Sequence, residues 1–127
     1  MVGIVLVCHS PRLASGLTEL LAQLGTESVP IRVAAGTPDG RLGTSADLVT
    51  AAVREADDGS GVVIIPDLGS AVLSVKVATE NEDPSRVVMV DAPFVEGAVA
   101  AAVTAATGAN LAAVVAAAEQ ARQIPKF

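Results

Sequence analysis

The sequence predicts an α/β fold: an open, doubly wound, four-stranded parallel sheet with helices on both faces. Three observations carry this expectation. Four short and nearly continuous apolar runs lie at 3–9, 29–36, 61–67 and 86–93, the pattern of strands covered on both faces. Between them, apolar residues recur at helical spacing. The two kinds of segment alternate strictly, and strand-helix-strand crossovers of this length build a parallel sheet.

"GIVLVCH" (3–9) is the first run. Ser10 and Pro11 break it, as a helix N-cap and a first-turn proline. Leu13, Leu17, Leu20, Leu21 and Leu24 then mark the apolar stripe of a helix that Gly25 closes. "VPIRVAAG" (29–36) is the second strand, ending in a loop through Pro38, Asp39 and Gly40. Gly43-Thr44-Ser45 caps a second helix whose core positions are Leu48, Val49, Ala52, Val53 and Ala56. "GVVIIPD" (61–67) is strand three, and Leu68-Gly69-Ser70 leads into a helix through Val72, Leu73, Val77 and Ala78. "RVVMVDAP" (86–93) is strand four. Two Ala-rich helices complete the chain, with Asn110 capping the last one.

The 127 residues fit one domain, and a composition of 51% hydrophobic and 17% charged residues builds a packed core rather than a disordered chain. Phe94 and Phe127 are the only aromatic residues, so the core consists of Val, Leu, Ile and above all Ala, which brings helices and sheet close together. A net charge of −6 argues against nucleic acid and against anionic membrane surfaces as partners. The absence of Tyr and Trp removes the stacking surface that a single-strand binder uses. Cys8 is the only cysteine, which excludes an internal disulfide and fits a cytoplasmic protein. The N-terminus enters a strand pattern without the basic flank or cleavage site of a signal peptide. Residues 97–118 carry no charge and are long enough to span a bilayer, but they are mostly alanine and are interrupted by Thr107, Gly108 and Asn110. They read as two buried helices and a turn.

In an open parallel sheet, ligands bind at the carboxyl ends of the strands, where the strand order reverses. Strand one delivers Cys8, His9 and Ser10 to that edge; strand two delivers Gly36 and Thr37; strand three delivers Asp67, Leu68, Gly69 and Ser70; strand four delivers Asp91. His9 is the only histidine of the chain. A neutral imidazole is a good nucleophile near neutral pH, and its phosphoramidate keeps a high transfer potential. A carboxylate on the second ring nitrogen fixes the tautomer and steadies the positive charge that develops, and Asp67 is the candidate for that role. Backbone N–H groups at Gly69-Ser70 open a helix and suit phosphate oxygens. On position alone a structural reading fits as well: His9 as a hydrogen-bonded strand end, Asp67 as a helix-start charge, and Gly69-Ser70 as ordinary turn residues. Arg12 reads as a solvated first-turn residue and Glu96 as an acid at a helix start. Cys8 and His9 are neighbours on a strand and point to opposite faces, which speaks against a Cys-His pair. There is no P-loop and no complete dinucleotide fingerprint, and too few His and Cys for a metal centre, so no cofactor and no metal are expected.

Four blocks, "HSPRLASGLTELLAQL" (9–24), "AAGTPDGRLGTSADLVTAAV" (34–53), "DLGSAVLSVKVA" (67–78) and "APFVEGAVAAAVTAATGA" (92–109), together resemble the phosphotransferase subunits of dihydroxyacetone kinase, the DhaM family. That family is similar to the mannose-type enzyme IIA domain of the bacterial sugar phosphotransferase system. The resemblance covers nearly the whole chain and implies a phosphohistidine carrier. The phosphocarrier protein HPr would charge His9, which would pass the phosphoryl group to ADP held on the DhaL subunit, and the ATP formed there would phosphorylate dihydroxyacetone on the DhaK subunit. By position, His9 matches the phosphohistidine and Asp67 the active-site carboxylate. Gly36, Thr37, Gly69 and Ser70 match the loops around the phosphate, and Ser10 joins them as a candidate contact. The family is homodimeric, and the small residues of the Ala-rich helices fit the close approach of a second subunit. Some members continue into HPr-like and enzyme I-like domains, whereas residues 1–127 read as one enzyme IIA-like phosphotransfer domain.

Three rival functions share parts of this pattern. A mannose-type enzyme IIA of a sugar transporter uses the same His9 chemistry with another acceptor, but typically carries Gly-Gly-Ser-Pro where this chain has Leu68-Gly69-Ser70-Ala71. A tetrapyrrole metal chelatase resembles "HSPR" at the end of strand one but relies on further ligands, and this chain has no second histidine. A regulatory module would use phosphorylation of His9 as a signal and not discharge it to ADP.

Overall fold

The structure is a computed structural model describing residues 1–127. Its centre is strand β1 (Gly3–Cys8), all six residues of which are buried, as its unbroken apolar run requires. Helix α1 (Pro11–Ala22) follows, then β2 (Ile31–Ala35), α2 (Ala46–Ala56), β3 (Val62–Pro66), α3 (Gly69–Ala78), β4 (Val87–Met89), α4 (Phe94–Ala106), α5 (Leu111–Gln120) and a 3₁₀ turn at Ala121–Gln123. The four strands form one parallel sheet in the order β2-β1-β3-β4, with Ile4 opposite Ile31 on one side and Val63 on the other.

Side chains alternate across the strands, and each set finds its own layer of helices. Ile4, Leu6, Val63 and Ile65 pack with Leu17 and Leu21 of α1, with Ala98, Ala101 and Ala105 of α4, and with Val114 and Ala118 of α5. Val5, Val7, Val62 and Ile64 pack with Val49, Ala52 and Val53 of α2 and with Ala71 and Val75 of α3. The doubly wound architecture is therefore present. Small residues set the spacing of the layers: a Cβ on Gly3 would lie 2.2 Å from the Ala56 carbonyl oxygen, so α2 rests directly on bare strand backbone.

Helix ends follow local chemistry. The Ser10 hydroxyl accepts from Leu13 N–H (3.2 Å) with Pro11 at the first position of α1; Ser45 accepts from Leu48 N–H (3.3 Å) and Asn110 Oδ1 from Ala113 N–H (3.0 Å). The uncharged stretch 97–118 is divided by a turn containing Gly108 at φ +83°, and no helix is long and apolar enough to cross a membrane.

The structure revises three sequence expectations. In α1 the buried stripe is Ala14, Leu17 and Leu21, while Leu13 and Leu20, and Leu24 beyond the helix end, stay partly exposed. A run of five leucines at helical spacing is wider than the face that one sheet can cover. In α3 the buried residues are Ala71 and Val75, whereas Leu73 and Val77 are 69% and 60% exposed. Both spacings fit a helix, and the one carrying the small Ala71 lets α3 lie close to the sheet. Strand β4 ends at Met89 rather than reaching Pro93: Val90 N–H still donates to the Ile64 carbonyl (3.0 Å), but Pro93 has no N–H and directs the chain into α4. The Ala-rich helices divide their small residues: Ala98, Ala101, Ala102, Ala105 and Ala118 are fully buried within the chain, while Ala112, Ala113 and Ala116 stay exposed on α5.

Candidate active site

Helix α1 leaves the end of β1 toward one face of the sheet and α3 leaves the neighbouring β3 toward the other, so a crevice opens between the carboxyl ends of these two strands. His9 is the first residue after β1, and Asp67 the first after β3. The Asp67 N–H extends the ladder by donating to the Val7 carbonyl (2.9 Å), which sets its side chain beside His9.

The carboxylate of Asp67 grips His9 twice. Oδ2 accepts from the His9 backbone N–H at 3.1 Å, and Nδ1 of the ring lies 3.0 and 3.1 Å from the two oxygens. Leu68 N–H also donates to Oδ1 at 2.8 Å. The Asp67 side chain is only 8% exposed, against 28% for His9, so the anion is internal and the imidazole reaches the surface. A carboxylate accepts only, so Nδ1 carries the proton and the lone pair belongs to Nε2. On that side the Ser70 hydroxyl lies 2.9 Å from Nε2. Asp67, His9 and Ser70 thus form a line from a buried anion, through an oriented ring, to a surface hydroxyl at the start of α3. That line can activate Nε2 as a nucleophile and steady the imidazolium formed when Nε2 acquires a substituent.

The donors around Nε2 come from α3. Its N-cap residue, Leu68, has no capping side chain, and the N–H groups of Gly69 and Ser70 donate to no protein group. They are first-turn amides carrying the positive end of the helix dipole, suited to an anion beside Nε2. Gly36 and Thr37 are arranged differently. Gly36 N–H donates to the Cys8 carbonyl (3.1 Å), Thr37 N–H to the Arg41 carbonyl (2.9 Å), and the Thr37 hydroxyl to Asp39. Gly36 has φ +70° and its missing Cβ would press on Pro11, so this pair shapes its own loop and offers the crevice no free donor. In that loop, the Thr37 hydroxyl and then Arg41 hold the Asp39 carboxyl below its ordinary range. Ser10 spends its hydroxyl oxygen on the cap of α1.

Other candidates fall away from the chemistry. Cys8 is fully buried and its thiol donates to the Ser10 carbonyl (3.1 Å); burial pushes that thiol up. Arg12 is exposed in the first turn of α1. Glu96 pairs with Lys126 at 3.0 Å, which lowers its carboxyl. No three His, Cys, Asp or Glu side chains gather in a way that could hold a metal ion. One feature escaped the sequence reading: Gly43 N–H donates to the His9 carbonyl (2.9 Å), and the next residue, Thr44, has its hydroxyl 2.7 Å from that of Ser74 on α3. Nothing in the local pattern marks a contact between residues thirty positions apart.

Known proteins share this arrangement of elements. The family described as EIIA-man, PTS system fructose IIA component, matches residues 3–115. The phosphoryl donor subunit DhaM of PEP-dependent dihydroxyacetone kinase 2 from Listeria innocua is 39% identical over 106 residues, covering 81% of this chain and 85% of that protein. The phosphoryl donor subunit DhaM of Escherichia coli K12 is 41% identical over 117 residues, covering 87% of this chain but 25% of that longer protein. Among solved structures, the crystal structure of the unknown-function protein EF1359 superposes with a TM-score of 0.84 at 36% identity, covering 94% of this chain and 93% of the other.

Proposed function

Because the chain belongs to the EIIA-man family, among the DhaM phosphoryl donor subunits of dihydroxyacetone kinase, we propose that Nε2 of His9 is the atom that carries the phosphoryl group. The observation behind this assignment is the hydrogen-bonded line from Asp67 through the ring to Ser70, which commits Nδ1 inward and turns the Nε2 lone pair outward.

The cycle has two transfers. In the first, a phosphohistidine of HPr presents its phosphorus to Nε2; the P–N bond of the donor breaks as the Nε2–P bond forms, and the Nδ1 proton stays on the ring. His9 becomes an imidazolium whose charge Asp67 balances. The Ser70 hydroxyl turns from Nε2 to donate to a phosphoryl oxygen, and the Gly69 and Ser70 amides receive the others. In the second transfer, a terminal oxygen of ADP held on a DhaL subunit attacks the phosphorus; the Nε2–P bond breaks and the ring returns to its neutral form. Triose phosphorylation then takes place on the DhaK partner. The protein works as a cytoplasmic homodimer. The row of Leu13 and Leu20 on α1, continued by Leu24 just past its end and left partly exposed, supports an association surface.

The test is intact-mass spectrometry after incubation with phosphoenolpyruvate, enzyme I and HPr. A gain of one phosphoryl group, absent from His9→Ala and lost in acid, is expected, with the phosphorus on Nε2 by NMR; adding DhaL and ADP discharges it. No gain with competent carriers overturns the reading, and a gain that DhaL and ADP leave in place assigns His9 to a sugar-transport or signalling acceptor.

A further inference from the structure

We propose that Thr44 and Ser74 are a positioning pair that holds the Ser70 hydroxyl against Nε2 of His9. The inference deepens the reading of His9 as the phosphoryl carrier and rests on it for its functional consequence. Its basis is a closed circuit of contacts. Ser70 and Ser74 are four residues apart on α3 and therefore share one face of the helix. Ser70 reaches the imidazole at 2.9 Å, and one turn below, Ser74 meets Thr44 at 2.7 Å in a partly buried hydroxyl-hydroxyl bond. Thr44 follows Gly43, whose N–H holds the His9 carbonyl at 2.9 Å. The circuit therefore runs from the ring of His9 to Ser70, down α3 to Ser74, across to Thr44 and Gly43, and back to the backbone of His9.

Without the Thr44–Ser74 contact, that circuit is open. Helix α3 sits on the sheet through Ala71 and Val75, with Ala78 half-buried at its far end; its N-terminus lacks a capping side chain, and its outer residues Leu73 and Val77 are largely exposed. Ala71 is the only fully buried side chain of its first turn, so a small tilt of this end would misalign the Ser70 hydroxyl, and a hydrogen bond weakens steeply as its angle bends. The hydroxyl pair ties α3 to the same loop that fixes the His9 backbone, so the acceptor ring and the donor hydroxyl share one frame. Thr44 and Ser74 touch neither the ring nor the phosphate, and their role runs through Ser70.

The lone histidine makes the test direct, because its ring nitrogens give the only imidazole signals of the chain. In the unphosphorylated protein, Thr44→Val and Ser74→Ala are each expected to move the Nε2 resonance of His9 toward its position in Ser70→Ala, with the amide spectrum otherwise retained. The same two variants should slow phosphoryl gain from HPr by about two- to tenfold, the range of one lost hydrogen bond. Thr44→Ser, which keeps the hydroxyl, should restore both readouts. In a Ser70→Ala background, Thr44→Val should change neither one further. A wild-type Nε2 position in both Thr44→Val and Ser74→Ala overturns the proposal, as does an additional rate loss in the double variant. The resonance is read without any phosphoryl donor. A chain that accepts no phosphoryl group but shows the Nε2 response therefore overturns the carrier reading and leaves the positioning pair standing.

Discussion

Asp67 does two separable things for His9. It holds geometry, through the His9 backbone N–H, the ring Nδ1 and the Leu68 N–H, and it supplies a negative charge. Asparagine separates these roles, since it keeps the volume and one accepting oxygen but is neutral. Its NH₂ group can also donate to Nδ1, which favours the tautomer with the proton on Nε2 and blocks the nucleophile. Asp67→Asn is therefore expected to stay folded and to accept the phosphoryl group about 10- to 100-fold more slowly, the usual scale for removing a partner of this kind. A time course of intact mass measures this directly, and an unchanged rate would leave Asp67 a purely structural residue. The pairing itself was legible in the sequence, because two strand runs that end in His9 and Asp67 can lie side by side in a parallel sheet. The choice of ring nitrogen was not, since a side-chain torsion depends on a partner across the crevice. Gly36 and Thr37 are the opposite case: their place at the strand edge was readable, whereas the partners of their N–H groups, the Cys8 and Arg41 carbonyls, were not.

Helix α3 is the element on which the proposed transfer depends, and it is built with an uncapped start. Leu68 at its N-cap satisfies no amide, which leaves the Gly69 and Ser70 N–H groups for an anion. Leu68→Asp should reveal that trade. An acidic N-cap accepts from the amides two and three positions on and stabilises a helix by about 1 kcal/mol. The same carboxylate would occupy the Ser70 or Ala71 N–H and place a second anion beside the phosphoryl group. The variant is thus expected to melt higher than wild type and to reach a phosphorylated fraction lower by about tenfold or more under limiting donor, from charge repulsion at close range. Thermal unfolding and end-point mass together decide it; a higher melting point with undiminished phosphorylation would show that these amides do not hold the anion. At this scale the sequence was most readable where one residue settles an element, as with Ser45 capping α2 and Asn110 capping α5. It was least readable for the buried faces of α1 and α3. Apolar residues there outnumber the positions one sheet can cover, and only the packed layers decide which of them turn inward.

For the molecule as a whole, the sheet separates two cores, and the site draws on them unequally. Ile64 and Ile65 are adjacent in β3 and both fully buried, yet Ile64 packs with α2 and α3 while Ile65 packs on the side of α1, α4 and α5. Truncating either to alanine removes the same atoms and should cost about 2–5 kcal/mol of stability. The functional consequences should differ. The Ile65 face is broad: α1 anchors through Ala14, Leu17 and Leu21, and α4 and α5 support one another through Ala101, Ala105, Val114 and Ala118. The Ile64 face carries α3, held by Ala71 and Val75, and with it Ser70 and the free amides. A cavity at Ile64 therefore loosens the element that faces Nε2, whereas one at Ile65 loosens elements that do not. Urea unfolding should show comparable losses for Ile64→Ala and Ile65→Ala. Under conditions where both remain folded, amide exchange in α3 should rise, and phosphoryl gain should fall, mainly in Ile64→Ala. Equal loss of transfer rate in the two variants would mean that the site senses global stability rather than the seating of α3, and the division of labour between the two faces would have to be abandoned.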